Sequence, residues 1–301
     1  MSFSQPNMRK PRLQRSLLAV PGSKPEMIKE ALHSSADCII LDCADAVAPK
    51  DKVAARSNVI EALCGLDWKA HKKTISVRVN GLDTQYMYRD VIDISEQAGR
   101  YLDSMLLPRV GVPSDVSILD CLISQIEYAF DIPNPIGIEA LIETTLGMDN
   151  IEAIAKASPR LEAMHFGATG FAANDLARKA ADRRPNLNYS GGECLANLQS
   201  LLAACRAQGL RAIDGLFGDT HDMPGFRKAA TSSAALGFKG KWTAHSAQIK
   251  VANEVMSALN EETSSTRKIG NARDNARTRI PEVRSGGTVI DIVSARMTRT
   301  S

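Results

Sequence analysis

The sequence predicts a (β/α)8 TIM barrel followed by a C-terminal arm. Its 301 residues are long for one domain but typical of a single α/β barrel. Short β-rich runs alternate with helical stretches about eight times. The apolar runs, such as CIIL and LEAMHF, are continuous, as expected for parallel strands that are covered on both faces. A doubly wound open sheet is the alternative, but no GxGxxG motif follows the first run.

The predicted elements follow one another along the whole barrel segment. The predicted strands are Ser16–Pro21, Asp37–Asp42, Thr74–Val79, Ser104–Pro108, Ile136–Thr144, Ala163–Gly167, Ala212–Gly215 and Lys239–His245. Helical patterns lie between them, such as Pro25–Ser35, Lys52–Cys64, Ser114–Ala129, Met148–Ala157, Cys194–Gln208, Gly225–Leu236 and Ala247–Leu259. We therefore divide the chain into an N-terminal extension (1–14), a barrel (15–260) and a C-terminal arm (261–301).

Composition excludes several classes of protein. Hydrophobic residues make up 44% and charged residues 24%, as in an ordinary globular protein with a sizeable core. The 37 basic and 34 acidic residues give a net charge of +3, too small for a nucleic-acid or membrane-surface footprint. The first residues lack the apolar core of a signal peptide, and the six cysteines form no CxxC. We expect a cytoplasmic protein with free thiols and no nucleic-acid or membrane partner.

The C-terminal arm differs from the rest of the chain. Glu261–Gly287 is polar, with only Ile269, Ile280 and Val283 as sizeable apolar anchors. Such a segment buries too little apolar surface to offset the entropy of ordering, so we expect it to be mobile or to dock on another subunit. The apolar patch Thr288–Val293 follows it, contains Asp291, and is expected to pair with or cap another segment.

Polar residues and glycines stand at the ends of the predicted strands. In a barrel these ends converge on one cavity, where the active site lies. This arrangement predicts that Arg78, Glu143 and His245 surround a single mouth. His221, in a polar loop, is expected to be a turn residue.

Two of these residues have a structural alternative. A carboxylate at the end of an apolar strand costs free energy unless it is paired or bound to a metal, so Glu143 is either a Mg²⁺ ligand or the partner of a nearby arginine. The planar fork of Arg78 suits a substrate carboxylate, but pairing with Asp42 or Glu143 explains it equally well. Pro21-Gly22-Ser23 leads into a helix N-terminus beside Lys24 and predicts either a phosphate site or a plain capped turn.

Six stretches, taken in order, resemble one known family. They are RSLLAVPGSKPEM, DCIILDCADAVAPKDKVAAR, ISVRVNGLDT, ALIETTLGM, FGDTHDMPGFR and LGFKGKWTAHSAQI. Together they resemble the citrate lyase β-subunit/HpcH–HpaI aldolase family, and within it the malyl-CoA lyases. The resemblance covers roughly residues 15–260, with a weaker similarity around Asp291.

The resemblance implies a trimeric or hexameric barrel enzyme that cleaves a 3-hydroxyacyl-CoA reversibly with Mg²⁺, as malyl-CoA gives glyoxylate and acetyl-CoA. Its substrates would be an acyl-CoA thioester and an oxo-acid. By the same resemblance, Arg78 would bind the substrate carboxylate and Glu143 would hold the metal. Asp291 would act as acid or base from a neighbouring subunit. Residues that would contact CoA or line the substrate side are Lys24, Thr169, Gly170, Ala244 and His245.

The chain also differs from the family pattern at acidic positions. Ala44 stands where the family has a glutamate, and Gly170 where it has a second metal-binding aspartate. Glu30 stands where a basic residue that helps to hold CoA is expected. Three hypotheses follow: a Mg²⁺-dependent carbon–carbon lyase or a thioesterase variant of it; a divergent non-lyase paralogue that binds an acyl-CoA or organic acid; and a scaffold that acts only in assembly with a partner.

Overall fold

The computed structural model describes residues 12–168 and 194–257, and the backbone of two short strands further on. Eight parallel strands form a closed barrel in sequence order, and β1 pairs with β8 to close it. The strands are β1 Ser16–Pro21, β2 Cys38–Asp42, β3 Thr74–Arg78, β4 Ser104–Leu107, β5 Gly137–Ile142, β6 Leu161–Phe166, β7 Arg211–Asp214 and β8 Gly240–Thr243. The prediction of a TIM barrel is confirmed.

Helices cover the outside of the barrel. They are α1 Pro25–Leu32, α2 Lys52–Gly65, α3 Met87–Ala98, α4 Pro113–Ala129, α5 Thr145–Asp149, α6 Ile151–Ala155, α7 Leu195–Gln208, α8 Met223–Leu236 and α9, which begins at residue 246 and is described to residue 257. Two 3-10 turns, Pro49–Asp51 and Gly99–Tyr101, precede α2 and follow α3. Helix α3 is not among the helical patterns named from the sequence. Within the described part of the chain, no helix is long and apolar enough to cross a membrane.

Strand residues alternate between two cores. Because successive side chains point to opposite faces of a strand, Ile39 and Leu41 pack outward against the helices, whereas Cys38 and Ile40 fill the barrel interior. The interior core consists of Leu17, Cys38, Ile40, Leu106, Leu141, Ala163, Ile213 and Trp242. Continuous apolar runs arise here because both faces of each strand are buried.

The N-terminal end of the barrel is held by buried ion pairs. Arg12 donates from Nε to Glu162 (2.7 Å) and from Nη2 to the Asp103 carbonyl (2.7 Å). Glu162 also accepts from Arg211 (3.1 Å). These contacts tie the segment before β1 to strands β6 and β7. Strand β6 begins at Leu161, two residues before the predicted boundary at Ala163, so Glu162 lies inside the strand.

The apolar patch in the C-terminal arm pairs with a segment of the same arm. Thr288–Asp291 forms an antiparallel two-stranded sheet with Glu282–Ser285, in which Asp291 lies opposite Glu282. These strands are β9 (Glu282–Ser285) and β10 (Thr288–Asp291). The pairing partner thus comes from the stretch that the sequence analysis assigns to a polar, mobile or docking arm.

Candidate active site at the C-terminal mouth of the barrel

Asp42 and Arg78 form a two-pronged ion pair at the ends of β2 and β3. The register places the two residues directly opposite each other. The Arg78 Nε donates to Asp42 Oδ1 at 2.9 Å, and Nη2 donates to Oδ2. Asp42, only 1% exposed, also accepts from the backbone N–H groups of Ala44 (2.7 Å) and Ala46 (3.2 Å). The carboxylate therefore fixes both Arg78 and the loop that follows β2.

The third guanidinium nitrogen of Arg78 faces a more open environment. Its Nη1 donates to Asp45 at 3.3 Å, and the Asp45 side chain is 53% exposed. The guanidinium carbon lies 5.6 Å from the centre of the Trp242 ring. Burial opposes the charge of Arg78, but Asp42, Asp45 and Glu143 outweigh it and raise the arginine's pKa. Arg78 is therefore a permanent, partly satisfied cation at the mouth.

Glu143 follows β5 and lies within electrostatic reach of this cation. Its side chain is buried, and its Oε1 accepts the backbone N–H of Arg109 at 3.0 Å. Burial, with a contribution from Asp45, raises the pKa of Glu143, although the charges of Arg78 and Arg109 act in the opposite direction. Gly167 leaves the room it needs, since a Cβ at that position would stand 2.5 Å from the Glu143 Cβ.

Arg109 is the main residue that the sequence analysis missed. It follows β4 in a left-handed conformation (φ 52°), which turns its N–H toward Glu143. Its side chain bridges two exposed carboxylates, donating from Nε to Asp83 (3.1 Å) and from Nη1 to Asp45 (3.1 Å). Its place at a strand end is the one sequence signal for it. The described part of the mouth thus contains two arginines, Arg78 and Arg109.

A buried polar network supports the loop after β2. Lys52 donates to the carbonyls of Cys43 (2.9 Å) and Ala44 (2.6 Å) and to the Asn80 side chain (2.6 Å). Asn80 in turn donates to Asp90 on α3 (2.6 Å). Burial lowers the pKa of Lys52, and the nearby aspartates oppose this effect. The backbone around Ala44 is therefore held by hydrogen bonds to its carbonyls.

The other predicted site residues have different settings. Lys24 precedes α1 and is exposed, as is Glu30 within that helix. His245 and Ala244, both exposed, precede α9: the His245 Nδ1 accepts from the Ala247 N–H (3.2 Å), and the Ala244 N–H donates to Gln248 (2.9 Å). Thr169 and Gly170 lie outside the described residues, and for Asp291 the backbone alone is described. The structure thus brings Arg78 and Glu143 together.

The donor chemistry at the mouth fits a hard cation with few protein ligands. Residues 12–168 and 194–257 contain no group of three or more histidine, cysteine and acidic side chains arranged around a metal position. Glu143 is nevertheless a buried carboxylate whose pKa is raised by burial and then by Asp45, so an added cation would relieve both effects. Mg²⁺ commonly takes only one or two carboxylates and fills its other positions with water and substrate oxygens.

Comparison with known proteins identifies relatives over most of the chain. Residues 15–246 match the family model described as HpcH/HpaI aldolase/citrate lyase. The chain is 41% identical over 288 residues to the L-malyl-CoA/β-methylmalyl-CoA lyase of Cereibacter sphaeroides, covering 93% of this chain and 90% of the relative. It is 37% identical over 252 residues to a (3S)-malyl-CoA thioesterase of the same species, covering 82% and 79%.

A solved structure extends the comparison to the fold. The protein CitE of Mycobacterium tuberculosis, in complex with magnesium, acetoacetate and coenzyme A, superposes with a TM-score of 0.72 at 25% identity, covering 96% of each chain. These relatives confirm the predicted family and the prediction of a carbon–carbon lyase, and they do not favour the non-lyase alternative. The chain belongs to the HpcH/HpaI aldolase/citrate lyase family.

Proposed function

We propose that this protein cleaves or forms a short 3-hydroxyacyl-CoA of the malyl-CoA type, giving glyoxylate and acetyl-CoA or propionyl-CoA. The observation that carries the proposal is the proximity of Arg78 and Glu143, an arginine fork and a buried carboxylate at one mouth whose charges act on each other. The 41% identity to a malyl-CoA lyase supports this substrate class.

Arg78 would bind the carboxylate of the oxo-acid through its open side. Two of its nitrogens stay on buried Asp42, while Nη1 pairs with exposed Asp45. A substrate carboxylate would displace Asp45 from that nitrogen, since an exposed ion pair contributes little free energy. The Asp42 pair would meanwhile keep the guanidinium in place.

Glu143 would hold Mg²⁺, which supplies Lewis-acid polarisation of the hydroxyl or oxo oxygen when it is bound. The Arg109 N–H fixes one oxygen of Glu143 and leaves the orientation of the carboxylate defined. Cleavage removes the hydroxyl proton, breaks the carbon–carbon bond and leaves a thioester enolate that must be protonated. We propose that Asp291 of a neighbouring subunit handles these protons within a cytoplasmic homotrimer or homohexamer.

The remaining predicted residues would contact the thioester. Lys24 would meet the CoA phosphates, and Thr169, Gly170, Ala244 and His245 would line the substrate side. Gly170 leaves one fewer anionic ligand than the family pattern. We therefore expect weaker Mg²⁺ binding than with an aspartate there, and Gly170→Asp should strengthen it.

Mg²⁺ calorimetry with and without oxalate, a mimic of the oxo-acid, tests the site. Binding that tightens with oxalate supports it, and no binding at millimolar Mg²⁺ contradicts it. A second assay follows malyl-CoA with Mg²⁺ and measures glyoxylate, acetyl-CoA and free CoA separately. Glyoxylate with acetyl-CoA indicates the lyase, whereas malate with free CoA indicates a thioesterase, the activity named for the 37% identical relative. Release of neither product overturns the proposal.

A further inference from the structure

A line of buried polar side chains runs through the barrel beneath the mouth. Glu139 on β5 and His165 on β6 are fully buried, and Trp242 on β8 is 3% exposed. None of the three has a part in the proposed reaction. Polar groups are costly in a barrel interior unless they are hydrogen-bonded, so the arrangement of these three needs an explanation.

The hydrogen bonds along this line fix the state of His165. The Trp242 Nε1–H donates to His165 Nδ1 at 2.8 Å, and an indole nitrogen can only donate. Nδ1 therefore carries no proton, and the proton on Nε2 is donated to Glu139 Oε2, 2.9 Å away. The imidazole is neutral, with one tautomer selected by its two partners.

Glu139 anchors the far end of the line. It also accepts from Gln14 (2.8 Å) and Arg211 (3.4 Å). Burial alone would raise the pKa of Glu139, but the hydrogen bonds from His165 and Gln14 and the charge of Arg211 act in the opposite direction and lower it. The carboxylate therefore remains ionised and is a fixed acceptor for the imidazole.

The near end of the line lies under Arg78. The Trp242 and His165 rings stand edge to face at 85°, and the Trp242 ring lies 5.6 Å from the Arg78 guanidinium carbon. A cation over an indole face is attracted by the ring's electron density. Since the indole is tethered through its N–H, its plane cannot rotate without breaking the bond to His165.

We propose that Trp242, oriented by His165 and Glu139, is a positioning residue that sets the plane of the Arg78 guanidinium and thereby the affinity for the oxo-acid carboxylate. The inference rests on the proposed role of Arg78. It predicts that loss of the indole N–H weakens binding of glyoxylate but not of the thioester partner. An aromatic ring that only fills space would affect both substrates, or neither.

Binding can be measured without turnover, because the chain has only two tryptophans. Trp68 is also buried and donates its ring N–H to the Ala62 carbonyl (2.9 Å), so Trp68→Phe is a matched control that leaves Trp242 as the sole indole fluorophore. Glyoxylate with Mg²⁺, added to Trp68→Phe, should change the Trp242 emission in a saturable way. When Arg78→Lys is added to Trp68→Phe, the glyoxylate concentration needed for half of the emission change should rise at least tenfold. An unchanged response would overturn the inference.

Kinetics in the condensing direction provide the second arm. Trp242→Phe should raise KM for glyoxylate about fivefold to tenfold, with KM for acetyl-CoA and the Tm close to those of Trp68→Phe. His165→Leu should have the same effect. His165→Gln, which offers both an acceptor and a donor, should restore much of the affinity. A normal glyoxylate KM in Trp242→Phe, or equal effects of His165→Leu and His165→Gln, would overturn the inference.

The fluorescence and kinetic experiments together distinguish failure of this inference from failure of the proposed function. Glyoxylate that changes Trp242 emission in a protein without lyase turnover would contradict the proposed reaction and support the positioning role. Lyase turnover by the wild type, together with a glyoxylate KM in Trp242→Phe equal to that of the wild type, would support the proposed reaction and contradict the positioning role.

Discussion

Arg78 and Asp42 face each other across adjacent strands and are joined through two guanidinium nitrogens. The pair joins the two strands and also orients the positive charge of Arg78. Asp42 is buried and holds Arg78 on one edge, so the opposite edge, with Nη1 next to exposed Asp45, points to the mouth. One carboxylate thus positions the cation that a second carboxylate, from the substrate, would bind.

Replacing Arg78 by lysine tests the fork rather than the charge. Arg78→Lys keeps a cation beside Asp42, so the barrel should fold, but it cannot make the planar two-pronged contact. We expect kcat/KM for malyl-CoA to fall at least about 100-fold, since hydrogen bonds between charged groups contribute about 1.5–3 kcal/mol each. Arg227→Lys, in an exposed pair with Glu254, is the control. Wild-type kinetics in Arg78→Lys would exclude a role for the fork.

Glu143→Gln should separate activity from stability. Burial raises the pKa of Glu143, so its ionised form destabilises the fold at pH values above the ordinary glutamate range. Without Mg²⁺ the variant should therefore have a Tm equal to or above that of the wild type. Millimolar Mg²⁺ should raise the Tm of the wild type but not that of Glu143→Gln. Glu152→Gln, on the exposed face of α6, should respond as the wild type does. A preserved response in Glu143→Gln would show that the cation binds elsewhere.

The network behind Ala44 should be important for stability. Asp90 is fully buried and accepts from Arg56 (2.9 Å) and from the backbone and side chain of Asn80 (3.0 and 2.6 Å). Asp90→Ala would leave Arg56 without its buried partner, so we expect a loss of about 3–5 kcal/mol in the free energy of unfolding. Asp93→Ala removes the outer partner of the same arginine and should cost about 1 kcal/mol or less. Urea unfolding measures both, and equal losses would contradict this ranking.

Glu139 predicts an acid-sensitive stability. Its folded-state pKa lies below the unfolded value of 4.5, so its contribution is present above pH 4.5 and is lost as the pH falls through the folded-state pKa. The wild type should exceed Glu139→Gln in the free energy of unfolding at pH 7. That gap should shrink by about 1 kcal/mol at pH 4. Urea titrations at the two pH values measure it, and a constant gap would show that Glu139 does not titrate in this way.

The fold could be predicted because its signals are local. Continuous apolar runs separated by helical patterns define a barrel without knowledge of any contact. Helix α3 carries a similar signal, since its buried Met87, Val91, Ile94 and Ala98 recur at helical spacing, but it is absent from the predicted elements. The predicted boundary of β6 at Ala163 leaves out Leu161 and Glu162, and the ion pair that fixes Glu162 joins it to Arg12, 150 residues away in sequence.

The site was predicted less completely, for a physical reason. Strand ends locate Arg78 and Glu143, but the sequence left open whether Arg78 has a protein partner, and the structure shows Asp42 in that role. The part played by Arg109 depends on a positive φ that directs its N–H to Glu143. The closed barrel sets this backbone conformation, so the identity of the residue at position 109 does not reveal it.

The ion pairs at the N-terminal end of the barrel have a consequence for how this chain can change. Arg12, Glu162 and Arg211 bind strands together at the end opposite the mouth. Substitutions at the mouth leave those contacts intact, so the barrel can accept new side chains there with little loss in its free energy of unfolding. Differences in substrate range from the 41% identical relative should accordingly be concentrated at the mouth rather than in the barrel wall.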